Sequence, residues 1–247
     1  MEWKTPFVAI ATLAMAPVAA NAAPITYFGE DEGLGENTAL ASTPNSDAAQ
    51  ANFLSGLISP GVETFEGIAD GTGTPLGINF TGAGTTATIG GSGNVNALAD
   101  GTTNGVGRYG VTDDPDGDER YWEMGGADFN LTFSNPVAAF GFYGIDIGDF
   151  GGQVTATTAG GLNQNFVIPN TVDGPGGGVL FWGVIDPANT FTSVDFGNTA
   201  SGTDFFGFDD FTVASIEQVQ SVPAPAPLAL IGGGLLAMGV LRRWKLV

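Results

Sequence analysis

The sequence predicts an all-β protein, a two-sheet antiparallel β-sandwich of the jelly-roll type. The body of the chain consists of short apolar runs separated by Gly, Asn, Asp and Thr, at the spacing typical of a sandwich. It contains no long amphipathic helical pattern. The predicted strands are 64–68, 77–80, 86–89, 129–133, 137–147, 154–158, 165–168, 179–185, 191–196 and 205–213.

Two of these runs predict strands that differ in which of their faces are buried. Phe129, Leu131 and Phe133 alternate with polar residues, which is typical of a strand with one buried face. The run 179–185 shows no alternation. It predicts a strand that is covered on both faces, or one whose outer face is a binding surface.

The segments around the sandwich have their own composition. Residues 23–60 are polar, acidic and weakly periodic, and we expect an arm that is partly disordered or adds an edge element, with a short helix around 48–57. The sandwich then spans 61–215. Residues 216–227 are expected to form a tether that ends in a proline-rich motif.

Charge and composition exclude several function classes. Between residues 23 and 221 there are 25 acidic and two basic residues, a net charge of −23. Nucleic acid is excluded as a partner, because binding it requires Lys and Arg to neutralise phosphates. Cations, cationic surfaces and neutral polysaccharides are the remaining candidates. The chain has no Cys and no His, which excludes disulfides, zinc–thiolate sites and thiol catalysis and removes the commonest general base.

The N-terminal residues 1–22 have the pattern of a secretory signal peptide. Lys4 provides a positive start, 7–15 is an apolar stretch too short to span a membrane, and Ala20 and Ala22 supply the small residues of a signal peptidase site. The alternative is an uncleaved anchor.

The C-terminal residues 222–247 have three parts. A proline-rich segment is followed by the uncharged apolar stretch 228–241 and then by Arg242, Arg243 and Lys245. We expect 228–247 to form a transmembrane helix whose basic end stays in the cytoplasm. A plain C-terminal anchor and a buried core helix are the alternatives.

This order of motifs resembles the PEP-CTERM sorting signal of Gram-negative bacteria, in its VPLPA-CTERM variant. The resemblance implies recognition and cleavage by an exosortase, a membrane cysteine transpeptidase or protease. The protein would be anchored transiently in the inner membrane and then reach the cell surface or extracellular matrix, in association with exopolysaccharide or biofilm. The residues carried over are Val222, Pro223, Ala224 and Pro225 for recognition, and Arg242 and Arg243 for retention.

Three phrases of the body, 63–67, 139–148 and 207–213, are similar to strands of PEP-CTERM ectodomains and of carbohydrate-binding jelly rolls. In those modules the first and last strands are neighbours, and their acidic residues often hold a structural calcium ion. The resemblance therefore implies a Ca²⁺ site formed by Glu63 or Glu66 with Asp209 or Asp210. The alternative is that one carboxylate faces solvent and another caps a turn.

A second acidic cluster surrounds Gly117. Asp114, Asp116 and Asp118 have a spacing that can wrap carboxylates around one cation, although the match to an EF-hand loop is incomplete. A solvated acidic turn is the alternative. Arg120 follows directly and is expected to pair with a nearby acid.

Aromatic residues are the candidates for a sugar site. Trp122, Trp182 and Tyr143, with Tyr109 and Tyr121, could stack on sugar rings, although burial of the two indoles is the competing prediction. The function that these patterns indicate is a non-catalytic, exported envelope or matrix protein. A secreted calcium-dependent carbohydrate-binding module or a glycan-active enzyme is the alternative.

Overall fold

The computed structural model describes residues 23–112, 117–125, 129–161, 163–200 and 204–220. The predicted signal peptide and the predicted sorting motif with its apolar segment lie outside these residues. Among the helices of the described residues, none has both the length and the apolar character needed to cross a membrane.

The described residues form 13 strands and one α-helix, with two short 3₁₀ turns at Thr81–Ala83 and Ile216–Gln218. The elements are β1 (Ile25–Asp31), α1 (Pro44–Ser55), β2 (Gly61–Glu63), β3 (Leu76–Phe80), β4 (Thr85–Gly91), β5 (Asn94–Ala99), β6 (Asp118–Gly125), β7 (Phe129–Val137), β8 (Ala139–Ile145), β9 (Val154–Ala159), β10 (Gln164–Val167), β11 (Val179–Ile185), β12 (Phe191–Asn198) and β13 (Phe205–Ala214).

The strands form two antiparallel sheets that face each other, which confirms the predicted sandwich. The first sheet has seven strands in the order β1-β11-β8-β13-β6-β5, with β2 also paired to β13. The second sheet has six strands in the order β10-β9-β12-β7-β4-β3. Jelly-roll connectivity stays a prediction.

An aromatic core fills the space between the sheets. Phe129 and Leu131 of the second sheet are buried, as their alternation predicted. The Phe129 ring stacks on Phe196 at a centroid distance of 4.2 Å and lies edge-on to Phe208 of the first sheet at 4.9 Å. Rings in these geometries contribute attraction beyond the area that they bury.

The outer face of the first sheet is covered by α1. All seven residues of β8 and all seven of β11 are buried, which confirms the first of the two expectations for 179–185. Phe53 of α1 is fully buried against the sheet. Gly141 and Gly183 are directly paired beneath it, and a Cβ atom on Gly183 would lie 2.8 Å from the Phe53 ring. The two glycines thus form a socket for Phe53.

The N-terminal end of α1 is held by a carboxylate from β1. Thr43, at the N-cap position, makes no capping hydrogen bond with its side chain. Instead, Asp31 accepts hydrogen bonds from the backbone N–H groups of Asn45 (3.1 Å) and Ser46 (2.9 Å) and from the Ser46 hydroxyl (2.9 Å). Because the carboxylate satisfies N–H groups that the helix leaves open, it fixes α1 on β1.

Replacement of Asp31 should therefore loosen the helix. We expect Asp31→Ala to lower the free energy of unfolding by about 2 kcal/mol, the upper end of the range for a lost helix cap. Glu32→Ala, which removes the same charge from the exposed neighbouring position, should change it by less than about 0.5 kcal/mol. Urea denaturation measures both, and equal losses in the two variants would show that charge rather than capping is responsible.

Of the two expectations for residues 23–60, a partly disordered arm or an added edge element, the structure shows the second. These residues form the edge strand β1, paired with β11, and the helix α1 that covers the outer face. The expected helix at 48–57 begins four residues earlier, at Pro44. The contacts that order this segment come from distant parts of the chain, which is why its own weak periodicity did not indicate them.

The predicted strand 64–68 is wrong, and two strands elsewhere in the body were missed. Residues 64–68 form a turn closed by a hydrogen bond from the Ile68 N–H to the Phe65 carbonyl, and Phe65 has a φ of +61°. The strand at this place is β2, which ends at Glu63. Strands β5 and β6 lack a strong apolar alternation and were not predicted.

Candidate functional site

A polar cleft of about 340 Å³ lies on the outer face of the first sheet. One wall consists of residues 39–43 and Asp47 at the start of α1. The other wall consists of Gly101 and residues 109–111, from the connection between β5 and β6, with Glu119 of β6 beside them. Its volume falls within the range of about 300–1,000 Å³ that is usual for small-molecule sites.

Tyr109 connects the two walls. Its hydroxyl accepts a hydrogen bond from the backbone N–H of Leu40 (3.1 Å) and donates one to the carbonyl of Gly177 (3.0 Å). Burial raises the pKa of Tyr109 to about 12, so the phenol is neutral and can make both bonds. This hydroxyl sets the separation of the walls.

A β-bulge in β13 brings two carboxylates to the outer face beside the cleft. The pairing of β13 with β8 shifts between Asp209 and Thr212, and Asp210 has a φ of +50°. Phe208 and Phe211 on either side are both in the core between the sheets. The extra residue of the bulge therefore places Asp209 and Asp210 together on the opposite face.

The carboxylate of Asp209 organises the bulge and the cleft wall. It is fully buried and accepts hydrogen bonds from the backbone N–H groups of Val111 (2.9 Å), Thr112 (3.4 Å) and Asp210 (2.7 Å). Burial raises the pKa of Asp209 well above its usual range, the neighbouring Asp210 raises it further, and the N–H groups of Val111 and Asp210 oppose the rise. Asp209 is thus a structural acceptor for the segment that forms the second wall.

Asp210 connects that segment to α1. It accepts a hydrogen bond from the Thr112 hydroxyl (2.7 Å) and one from the Gln50 amide (3.4 Å). Burial raises the pKa of Asp210, while these two bonds lower it. The Tyr143 hydroxyl of β8 lies 2.9 Å from Asp47 Oδ1 and 3.2 Å from Gln50 Oε1. These contacts form one polar network under the cleft.

Arg108 also anchors the connection between β5 and β6. Its Nε donates to Glu123 at 2.8 Å, and its Nη1 lies 3.4 Å from Asp146. Burial raises the pKa of Asp146 to about 6, against the lowering effects of the Gly177 N–H and Arg108. Its φ of +65° is a conformation that Asp and Asn adopt more readily than most residues.

These carboxyl groups predict an unusual pH dependence of stability. The pKa values of Asp146, Asp209 and Asp210 are raised in the folded protein, so the folded state binds more protons than the unfolded state in mildly acidic solution. The free energy of unfolding should therefore fall as pH rises through the folded pKa values, and the melting temperature should be higher near pH 5 than near pH 7. Asp146→Asn, which keeps the shape and tolerates the positive φ, should flatten this dependence. A melting temperature that increases steadily from pH 5 to pH 7 would contradict it.

The acidic residues predicted to bind calcium form hydrogen bonds with different parts of the protein. β2 and β13 are neighbours, with Glu63 paired to Phe211, as the resemblance implied. Glu63 accepts a hydrogen bond from the Phe65 N–H (2.8 Å), and Glu66 accepts one from the Arg120 N–H (2.9 Å). In the part of the chain that the structure describes, no three acidic side chains are grouped so that they could hold a metal ion. Calcium binding stays a prediction without support from this geometry.

The second predicted metal cluster falls mostly outside the described residues. Asp114 and Asp116 are not described, and Asp118 is an exposed residue at the start of β6. The expected pairing of Arg120 is confirmed, since its Nη1 lies 2.9 Å from the carbonyl and 3.4 Å from the carboxylate of Glu66.

The three residues proposed for sugar stacking need a correction. Trp122 is 0% exposed, Trp182 is 2% exposed and Tyr143 is 4% exposed. The indoles lie in the core between the sheets, and the Tyr143 ring lies under α1. Large aromatic side chains are the residues that fill such a core, and for the two indoles the competing prediction of burial is correct.

Few of the residues that line the cleft could be identified from the sequence. Tyr109 was among the aromatic candidates and Glu119 ends the second acidic cluster, whereas Thr43 and Asp47 belong to no motif. The hydroxyl of Tyr109 meets Leu40, 69 positions away, and Asp209 meets Val111, 98 positions away. A site assembled at such separations leaves no local spacing pattern.

No protein-family model and no curated protein matches the sequence. Among solved structures, the chain is similar to the crystal structure of the K2 cleaved adhesin domain of Lys-gingipain (Kgp). The identity is 15% and the TM-score is 0.38, with 63% of this chain and 98% of that chain covered. A likeness of this extent decides nothing about function.

Proposed function

We propose that this protein is an exported, non-catalytic component of the cell envelope or extracellular matrix of a Gram-negative bacterium, sorted and cleaved by an exosortase and associated with exopolysaccharide. The observation that carries the proposal is the tail, in which Val222-Pro223-Ala224-Pro225 precedes an apolar stretch and a basic end. Each part suits one step: the prolines keep the cleavage region extended, the apolar stretch enters the bilayer, and the basic end is retained.

The body supports a role outside the cytoplasm with uncharged or cationic partners. Both of its basic residues are engaged in ion pairs, Arg108 with Glu123 and Arg120 with Glu66. Little positive charge therefore remains within the described fold to balance the excess of acidic residues. Such a surface disfavours polyanions and keeps the protein soluble at high local concentration, as a matrix component requires.

The acidic residues with perturbed pKa values support a non-catalytic role. Asp209 and Asp210 accept hydrogen bonds from the protein that hold the cleft wall and α1, and Asp146 does the same for the loop around Arg108. Perturbed carboxyl groups are often catalytic, but structural networks produce the same shifts. The cleft favours a carbohydrate-binding module as the second candidate function.

The topology of the tail tests the proposal. A reporter fused after Val247 should report a cytoplasmic location in cells without the exosortase, because the basic end is retained there while the acidic body crosses the membrane. Replacement of Arg242 and Arg243 by Glu should weaken that retention, whereas Glu217→Gln in the tether should not. A periplasmic signal from the unmodified fusion would contradict the proposed topology.

A further inference from the structure

We propose that the polar cleft binds a protonated amine on a sugar-sized ligand, namely an amino sugar. The source of that ligand rests on the proposed function, since an amino-sugar-containing matrix polysaccharide would supply it. The binding itself rests on the size, charge and rigidity of the cleft.

The size of the cleft limits the ligand to a small one. At about 340 Å³ it is near the lower end of the range for small-molecule sites, with room for a sugar unit rather than for a folded peptide segment. Ser42 and Thr43 place hydroxyl groups on one wall, and residues 109–111 contribute backbone on the other. Such groups suit a ligand that carries several hydroxyls.

The charge of the cleft selects a cation. Its lining residues include the acidic Asp47 and Glu119 and no basic residue. The two arginines of the body are held elsewhere in ion pairs. A sugar acid or a phosphate would therefore meet only repulsion, and an ammonium group would be attracted.

Asp47 provides a specific contact point for the ammonium group. Its Oδ1 accepts both protein hydrogen bonds, from the Thr43 hydroxyl and the Tyr143 hydroxyl, each at 2.9 Å. Its Oδ2 receives no hydrogen bond from the described residues. The side chain is thus oriented by two donors while one oxygen stays available, and a charge-assisted bond to that oxygen is among the stronger polar contacts.

The walls are already in place before a ligand enters. Tyr109 joins Leu40 to Gly177, and Asp209 holds Val111. Binding therefore requires little ordering of loops, which reduces the entropic cost of association.

Calorimetric titration of the full chain, purified in mild detergent, tests the proposal with glucosamine as the probe. N-acetylglucosamine, which keeps the ring and removes the charge, is the matched ligand. At slightly acidic pH we expect glucosamine to bind at least about tenfold more tightly than N-acetylglucosamine, the ratio expected from one charge-assisted hydrogen bond.

Two variants and one control place the binding in the cleft. Asp47→Asn should weaken glucosamine binding about tenfold while it keeps an oxygen for Thr43 and Tyr143. Ala41→Trp, at an exposed lining position, should abolish binding by filling the cleft. Asp195→Asn removes the same charge from an exposed position on the second sheet and should leave binding unchanged. Circular dichroism checks that each variant is folded.

Three outcomes would overturn the proposal. Equal affinity for the two sugars would indicate a site for neutral sugars. Equal weakening of binding by Asp47→Asn and Asp195→Asn would indicate diffuse attraction of cations. An absence of glucosamine binding would show that the cleft does not take an amino sugar. None of these results bears on export. If the protein is exported and processed but does not bind glucosamine, only the amino-sugar proposal is rejected.

Discussion

Phe53→Ala should lower the free energy of unfolding by about 3–5 kcal/mol, the cost of removing a buried phenylalanine from a packed interior. The ring is fully buried between the socket glycines and the rings of Tyr27 and Phe181, at centroid distances of 5.6 and 5.5 Å. Since a domain of this kind is stable by only about 5–15 kcal/mol, this loss is a large part of the total. Urea denaturation followed by near-UV circular dichroism measures it.

The control is an exposed residue of the same helix. Asn52→Ala, at an exposed position of α1, should change stability by less than about 0.5 kcal/mol. A loss below about 1 kcal/mol for Phe53→Ala would mean that α1 is not seated on the sheet as described.

The socket gives a second, stricter test. Gly183→Ala places a methyl group against the Phe53 ring and should destabilise the protein by itself. In a background of Phe53→Ala the same methyl group has space, so its cost should decrease or change sign. This non-additivity is expected only of residues in direct contact.

Asp209→Ala should have the second largest effect, a loss of about 3 kcal/mol. The substitution leaves the part-buried N–H groups of Val111 and Asp210 without their acceptor, and a buried group left unsatisfied costs about 1–3 kcal/mol. Asp209→Asn, which keeps one acceptor oxygen, should lose less. Hydrogen exchange should show faster exchange at Val111 and Thr112 in the alanine variant.

Stability measurements with and without calcium distinguish a structural role of Asp209 from a metal-binding role. If this residue is a structural acceptor, Asp209→Ala should lose the same stability in calcium and in EDTA, and the exposed control Asp195→Ala should lose almost none in either. If the predicted metal site exists, chelation should lower the melting temperature of the wild-type protein, and Asp209→Ala should abolish that response.

The sequence indicated the parts of the fold whose signal is local. The alternation of Phe129, Leu131 and Phe133 identified a half-buried strand. The uninterrupted run of β11 indicated either a strand covered on both faces or an outer binding surface, and the first is correct. What covers it could not be predicted, because α1 is held by Asp31 from β1 and by Phe53 over two glycines that are distant in sequence.

The candidate site was less predictable for the same reason. Residue type alone does not distinguish a core tryptophan from one that stacks on a ligand, so Trp122 and Trp182 were candidates for both. Two adjacent carboxylates at Asp209 and Asp210 suggested a metal, whereas they accept hydrogen bonds from residues 111–112, from Gln50 and from the N–H of Asp210 itself. The bulge that turns both side chains to one face has no sequence signature other than the two acids.

The central claim, that the chain is exported and its tail removed, is tested most directly by mass spectrometry of the mature C-terminus. Trypsin is unsuitable because no Lys or Arg lies between Arg120 and Arg242, but cleavage after Glu217 releases a peptide that begins at Gln218 and reports the end of the chain. In cells with the exosortase, this peptide should lack residues 228–247, and in cells without it the peptide should end at Val247. Replacing Pro223 and Pro225 by Ala should give the unprocessed end even when the enzyme is present. A peptide that ends at Val247 on most molecules of the wild-type protein, in cells that contain the enzyme, would contradict the claim.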